Sequence, residues 1–207
     1  MKQDIILAGV GGQGIISIAY VIASAALAEG LEVKQAEVHG MSQRGGAVQS
    51  HLRLSREHIW SDLIPRGEAD IVLSVEPLEA LRYIDYLRPD GMVISSRAPF
   101  VNIRDYPDVE TLLSKIREIP RHLIIDSETL AKEAGSSRTQ NMVLLGAAAG
   151  HLMVKEEDLT SYVKVLFGRH GEAIVASNLK AFALGRAAAA GPEVVSASGG
   201  RGGPGRG

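Results

Sequence analysis

A short apolar run that ends in clustered glycines and passes directly into a second apolar stretch leaves few folding options. Residues 4–8 are such a run, and Gly9, Gly11, Gly12 and Gly14 follow it. Residues 15–28 come next, apolar nearly all round and rich in small side chains at Ala19, Ala23, Ala25 and Ala26. Short apolar segments closed by glycine read as fully buried strands, and such strands belong to sheets covered on both faces. A helix without a wet face is buried under the sheet or against another subunit. A strand, a glycine turn and a buried helix together predict the opening unit of a mostly parallel α/β sheet.

The remaining chain continues that alternation. Residues 31–38 read as a second strand after Gly30. Residues 47–54 alternate apolar and polar, so they read as a strand with one face wet or in contact with a partner. Residues 70–75 and 92–95 read as further strands, separated by a helix that Glu76 and Pro77 open and that Pro89, Asp90 and Gly91 stop. Asp108 reads as the cap of a helix with the stripe Val109, Leu112, Leu113 and Ile116, and residues 122–125 as a strand. Helices at 127–134, 139–153, 156–167 and 172–189 follow, the last three forming an annex packed on the sheet. The expected architecture is Rossmann-like α/β, with flanking helices and a C-terminal helical annex. Residues 1–190 read as one domain. From 191 to 207 Gly, Ser and Arg dominate, which predicts a disordered tail.

Composition excludes several function classes. The 207 residues carry a formal net charge of −2 and no cysteine. That balance argues against a general nucleic-acid binder. Without cysteine the chain holds no disulfide, thiolate zinc site, cysteine nucleophile or cysteine-ligated iron–sulfur cluster of its own. A cytoplasmic location fits. Lys2 and the Ala23-Ser24-Ala25 triplet imitate a signal peptide, but Asp4 and the glycine turn interrupt that pattern. Residues 15–28 are shorter than the ~20 needed to span a bilayer, so no membrane association is expected.

Two glycine-rich turns carry what chemistry the chain displays. The spacing Gly9-x-Gly11-x-x-Gly14, after a strand and before a helix, matches the dinucleotide fingerprint, with Glu32 and Glu37 near the place of a ribose-binding acid. The same glycines also serve as a tight turn with close helix packing, or as an anion or partner contact. Gln13 stands where a small or apolar residue is more usual. The second turn, His39-Gly40-Met41-Ser42-Gln43-Arg44-Gly45-Gly46, puts a guanidinium beside two glycines. Arginine forks onto a carboxylate or phosphate while neighbouring backbone N–H groups add donors. The plainer reading is a hairpin-like loop with a solvated arginine. Ser42 has no nucleophile-elbow pattern around it. His39, His51 and His58 are spaced too loosely for a metal site, and His51 reads as facing solvent or a partner. Glu76 ends a strand, a functional position in open α/β sheets, and also suits a helix cap. Asn141 suits either a helix cap or the lining of the sheet edge. No P-loop lysine, catalytic triad or carboxylate pair is present, so nothing equips the chain for difficult chemistry alone.

These motifs occur in a recognisable order. Gly9-Val10-Gly11-Gly12-Gln13-Gly14, then Glu37-Val38-His39-Gly40-Met41-Ser42-Gln43-Arg44-Gly45-Gly46, then Leu63-Ile64-Pro65-Arg66-Gly67-Glu68-Ala69-Asp70, then Glu76-Pro77-Leu78-Glu79-Ala80-Leu81-Arg82, then Asn141-Met142-Val143-Leu144-Leu145-Gly146 resemble the gamma-type subunit of 2-oxoacid:ferredoxin oxidoreductases. The likeness is greatest to the beta subunit of the indolepyruvate branch, and it extends to about residue 189. The resemblance implies oxidative decarboxylation of a 2-oxoacid with coenzyme A, giving an acyl-CoA, carbon dioxide and reduced ferredoxin in low-oxygen metabolism. It implies that thiamine diphosphate, Mg2+ and iron–sulfur clusters sit on a large partner subunit, with no cofactor on this chain and ferredoxin as acceptor. On this view Ser42, Gln43, Arg44, Gly45 and Gly46 contact the partner near its active site. Gly9, Gly11, Gly12, Gln13 and Gly14 become a candidate anion or cofactor contact. A stand-alone NAD(P)-dependent oxidoreductase and a non-catalytic interaction module are the competing readings.

Overall fold

The computed structural model describes residues 1–39 and 45–191, with Val38 and His39 described for their backbone alone. The described residues form a six-stranded sheet in the order β2-β3-β1-β4-β5-β6. The strands are β1 (Lys2–Val10), β2 (Glu32–His39), β3 (Ala47–Ser55), β4 (Ala69–Ser74), β5 (Leu87–Ser96) and β6 (His122–Ile125). The helices are α1 (Ile15–Ala28), α2 (Pro77–Arg82), α3 (Val109–Arg117), α4 (Ser127–Glu133), α5 (Gln140–Ala149), α6 (Glu156–Phe167) and α7 (Glu172–Ala189). β3 pairs antiparallel with both β1 and β2, while β1, β4, β5 and β6 pair in parallel. The expected mostly parallel α/β fold is therefore present, with one reversed strand inside it.

Alternation along each strand divides the core between two faces. Ile5, Leu7, Ile71, Leu73, Met92 and Ile94 point to one side, where they meet α1 and the α5–α7 annex. Ile6, Val72 and Val93 point to the other, against Ala80 of α2 and Leu113 and Ile116 of α3. Within the annex α5 and α7 touch backbone to backbone. A Cβ at Gly146 would strike the Phe182 carbonyl, and one at Gly185 would strike that of Val143.

Local caps explain several boundaries. Glu76 accepts the Glu79 N–H at 2.8 Å to start α2, and Asp108 accepts that of Thr111 at 2.9 Å to start α3. The Asp108 carboxyl is held below its ordinary pKa, first by that backbone bond and then by the Thr111 hydroxyl.

Four expectations need correction. The helix opened by Glu76 and Pro77 ends at Arg82, and a short 3-10 turn at Ile84–Tyr86 leads into β5, so Pro89, Asp90 and Gly91 do not stop it. β5 begins at Leu87 instead of 92. The ladder jumps from Leu87 opposite Ala69 to Met92 opposite Ile71, so Pro89 sits in the irregularity, where a missing N–H disrupts no ladder bond. The helix at 139 ends at Ala149 instead of 153. His51 does not face solvent: it is buried, packs edge-on against Tyr86 at 5.3 Å, and accepts the Ile64 N–H on Nδ1 at 3.0 Å. Residues 192–207, the expected tail, lie outside the described residues. Among the described residues no helix is long and apolar enough to cross a membrane.

Candidate functional site at the carboxyl edge of the sheet

Sheet order fixes where a ligand or partner can enter. The chain leaves β1 through α1 toward β2 on one side, and leaves β4 through α2 toward β5 on the other. The gap beyond the carboxyl ends of β1 and β4 is the topological switch point, the usual site in open α/β sheets. Gly9 ends β1 with Val10 and Gly11 to Gly14 follow it there, and Val75 and Glu76 follow β4.

The two glycine turns meet at this edge. The Gly11 N–H donates to the Gly46 carbonyl at 2.8 Å, and the Gly45 N–H donates to the Gly11 carbonyl at 3.3 Å. The first turn also closes on itself: Val10 N–H donates to Gln13 Oε1 at 2.8 Å, and Gln13 N–H to the Val10 carbonyl at 3.1 Å. Gln13 is thus the latch of the turn, which accounts for its size. Gly9 is packed so closely that a Cβ would lie 2.7 Å from Ile15 Cδ1 and 3.0 Å from Val75 Cγ2. Gly14 has φ +79° and faces Asn141, whose Nδ2 donates to the Gly14 carbonyl at 3.2 Å. Gly12, at φ +102°, has open space where a Cβ would stand.

This geometry weakens the dinucleotide reading. The Gly11 N–H, which would face a pyrophosphate, already has a carbonyl partner. β3 also lies between β1 and β2, so Glu37 sits two strands to the side of the glycine turn, about 9–10 Å across at ~4.8 Å per strand, and Glu32, level with Lys2, stands at the opposite end of the sheet. Glu32 instead pairs with His58 at 3.1 Å, and Glu37 accepts from Gln35 Nε2 at 2.7 Å.

A strap completes the edge. The segment between β5 and α3, residues 97–108, crosses it and is tied at two points. Asn102 Nδ2 donates to the Gly45 carbonyl at 2.7 Å. The Tyr106 hydroxyl donates to Glu76 Oε1, and the Phe100 N–H reaches the same oxygen at 3.4 Å. Burial, then the Glu76 bond, holds the Tyr106 hydroxyl above the ordinary tyrosine range. Glu76 is buried and takes three donors in all, so it serves as an anchor and offers no free base. Glu79, also buried, has its carboxyl pKa raised by desolvation, which the Arg82 guanidinium opposes.

Two grooves open beside Gly12. One of about 400 Å3 runs between Ile15, Ile16 and Val48. The other, about 470 Å3, lies between Gly14 and Val75 on one side and Phe100, Arg138 and Asn141 on the other. Both are of ligand-binding size. Among the described residues no three His, Asp or Glu side chains converge to hold a metal ion. The edge is equipped to bind and to orient, through backbone groups, amides and apolar walls.

The structure thus joins Gly9, Gly11, Gly12, Gln13, Gly14, Gly45, Gly46, Glu76 and Asn141 at one edge. It separates His51 and His58 from it. Ser42, Gln43 and Arg44 lie outside the described residues, as does the His39 side chain. Asn102, Tyr106 and Arg138 escaped the sequence reading. Polar residues in a proline-bounded segment just after a strand were the available signal for the first two.

Comparison with known proteins matches this fold and these motifs to one family. A model described as pyruvate ferredoxin/flavodoxin oxidoreductase matches residues 4–188. The indolepyruvate oxidoreductase subunit IorB of Thermococcus kodakarensis is 36% identical over 200 residues, covering 91% of this chain and 97% of that protein. A solved 2-oxoglutarate:ferredoxin oxidoreductase from Magnetococcus marinus, with 2-oxoglutarate, coenzyme A and succinyl-CoA bound, superposes with TM-score 0.73 at 29% identity. That match covers 91% of this chain and 31% of the longer one. The gamma subunit of a keto/oxoacid ferredoxin oxidoreductase from Geobacter sulfurreducens gives TM-score 0.64 at 26% identity, covering 90% and 98%. The chain belongs to the pyruvate ferredoxin/flavodoxin oxidoreductase family, as a gamma-type subunit of a 2-oxoacid:ferredoxin oxidoreductase.

Proposed function

We propose that this chain completes an indolepyruvate-type oxidoreductase whose large partner subunit carries thiamine diphosphate, Mg2+ and the iron–sulfur clusters. The assembled enzyme converts an aryl 2-oxoacid and coenzyme A into the acyl-CoA and carbon dioxide, passing two electrons to ferredoxin. The aryl substrate class is supported by the IorB relative, and the use of a 2-oxoacid with coenzyme A by the 2-oxoglutarate, coenzyme A and succinyl-CoA bound in the Magnetococcus enzyme. Placing the cofactors on the partner is supported by the absence of cysteine from the sequence and by the lack of a converging ligand set among the described residues. Residues 1–190 form the working domain on this reading, and the location is cytoplasmic.

The observation that carries the role of this chain is the backbone zipper between Gly11 and Gly45–Gly46 at the switch point. It ties both ends of one site together: the first turn with its grooves, and the turn that bears Ser42, Gln43 and Arg44. Arg44 supplies the charge and fork for the 2-oxoacid carboxylate or an anionic part of coenzyme A, while the glycines permit close approach. The first turn acts as a packed support whose open side, at Gly12, faces the ligand.

The test is anaerobic purification of the tagged chain with its partner, identification of that partner by mass spectrometry, and turnover with indolepyruvate, coenzyme A and ferredoxin. Arg44→Ala is expected to assemble normally and to lower kcat/KM by about tenfold or more, the scale of a charge-assisted contact. Wild-type kinetics in that variant would remove Arg44 from the site.

A further inference from the structure

Among the described residues α1 differs from the other surface helices in what it shows to solvent. Its inner face, with Ile18, Ala19, Ile22 and Ala26, is fully buried against the sheet and annex. Its outer face is also apolar. Ile16 is 56% exposed, Tyr20 41% and Leu27 61%. Steps of four and seven residues place them on one stripe with Ala23 between. The helix has no acidic residue in its first turn and no basic residue in its last, and it carries no charge anywhere between. A surface helix exposed to water alone normally bears charge on that face. The stripe runs about 16 Å along the axis at 1.5 Å per residue.

The stripe is continuous with the site. Ile16 stands at its upper end and also walls the apolar groove beside Gly11 and Gly12. Phe100, 43% exposed, stands on the other side of the same turn. Whatever reaches the glycine turn from the groove side therefore meets the α1 stripe.

The length comparison points to the occupant. In the Magnetococcus enzyme a unit of this fold is 31% of one longer polypeptide, so the rest of that polypeptide is covalently bound to lie near it. The IorB relative, 97% of which this chain matches, lacks that extra length, and on the proposed reading the large partner is a separate chain, which requires a face that binds without a linker. We infer that the outer stripe of α1, from Ile16 through Tyr20 to Leu27, is the surface on which the large partner subunit seats, with the glycine turn at one end of the contact. The inference rests on the proposed large partner. An interface centre depleted of charge and bearing an aromatic and two aliphatic anchors fits a permanent assembly.

Leu27→Glu tests it, because Leu27 lies at the far end of the stripe from the glycine turn and is exposed in the free chain. The variant and wild type are each co-expressed with the partner and purified anaerobically; subunit ratio and turnover are measured, with the melting temperature and molar mass of each isolated chain. The expected result is an unchanged melting temperature and about tenfold or greater loss of co-purified partner. Turnover falls in the same proportion, and excess variant chain partly restores it. Tyr20→Ala should give a smaller loss in the same direction. Wild-type subunit ratio and turnover for Leu27→Glu would overturn the inference. So would a dimeric isolated chain that Leu27→Glu makes monomeric while assembly is kept, since the stripe would then bind a second copy. Arg44→Ala separates the two proposals: it should keep the subunit ratio that Leu27→Glu loses.

Discussion

The two edges of the sheet are built in opposite ways. At the amino edge a row of charges crosses four strands. Arg53 on β3 forks onto Asp4 of β1 at 2.8 and 3.0 Å. The Asp4 N–H reaches Asp70 of β4 at 2.7 Å, Asp70 pairs with Arg88, and Arg88 pairs with Asp90 of β5. Those contacts hold the Asp90 carboxyl down to about 2, chiefly through the Arg88 hydrogen bond. At the carboxyl edge the ties are backbone carbonyls, amide side chains and the Glu76 anchor, and the exposed groups beside them include the apolar Ile16, Phe100, Val101 and Ile103 as well as Arg97, Arg104 and Arg138. Charge satisfied within the chain closes one edge. Apolar surface and short polar tethers leave the other ready for an outside molecule.

Breaking the amino edge should cost the most stability and the least function. Arg53→Met leaves the buried Asp4 carboxylate with Lys2 alone, at 3.2 Å. It also frees the carbonyls of Ser61 and Leu63, each 3.0 Å from the guanidinium. Removing one partner of a buried pair costs about 3–5 kcal/mol. For a chain of this size that lowers the melting temperature by on the order of 10 °C. Differential scanning calorimetry reads the shift; turnover per assembled complex should stay within about twofold of wild type. A shift under about 2 °C would show that the amino edge is not closed by this pair.

Cutting the strap at the carboxyl edge should do the reverse. Asn102→Ala removes one hydrogen bond to the Gly45 carbonyl, worth about 0.5–1.5 kcal/mol, so the melting temperature falls by only a few degrees. The strap orients Gly45, and Gly45 bonds to Gly11, so both turns lose a tether together. Turnover of the complex is expected to fall about tenfold or more, as misplacement of positioning groups does, with assembly intact. Equal fractional losses of stability and turnover would make the strap merely structural.

How much of this was legible in the sequence differs between the edges as well. The bounds of α1, the Asp108 cap and β6 follow from periodicity, capping chemistry and apolar runs, which are local signals. Both glycine turns were visible. The insertion of β3 between β1 and β2 was not, because strand order depends on pairing between distant segments. It changed the chemistry, since it gave Gly11 a backbone partner and moved Glu37 away. Gln13 looked like a departure from the fingerprint and proved to be the latch of the turn. Asn102 and Tyr106 sit in an irregular segment whose partners, Gly45 and Glu76, are 57 and 30 residues distant, beyond any local pattern.

The smallest effect concerns His51, which the alternation of β3 placed on a face toward solvent or a partner. In the fold its imidazole is buried, and burial pushes its pKa below 6.5; Asp62 opposes that shift and Arg53 adds to it. The unfolded chain therefore binds more protons near pH 6.5, so this group favours the fold at neutral pH and loses that contribution as pH falls through 6.5. His151, lowered by burial and by Arg121 and Arg186, adds with the same sign. Glu79, whose pKa is raised, acts the other way and favours the fold as pH drops toward its own range. Comparing variants isolates the His51 contribution: His51→Gln keeps a neutral acceptor for the Ile64 N–H but cannot titrate. Its stability against pH, from urea unfolding between pH 7.5 and 5.5, should slope less steeply than wild type, by at most about 1.4 kcal/mol per pH unit. Parallel curves would mean that His51 protonates as readily in the fold as out of it. The face toward solvent or a partner expected from the alternation would then describe β3 better than the burial of this side chain under Ile64 and Tyr86.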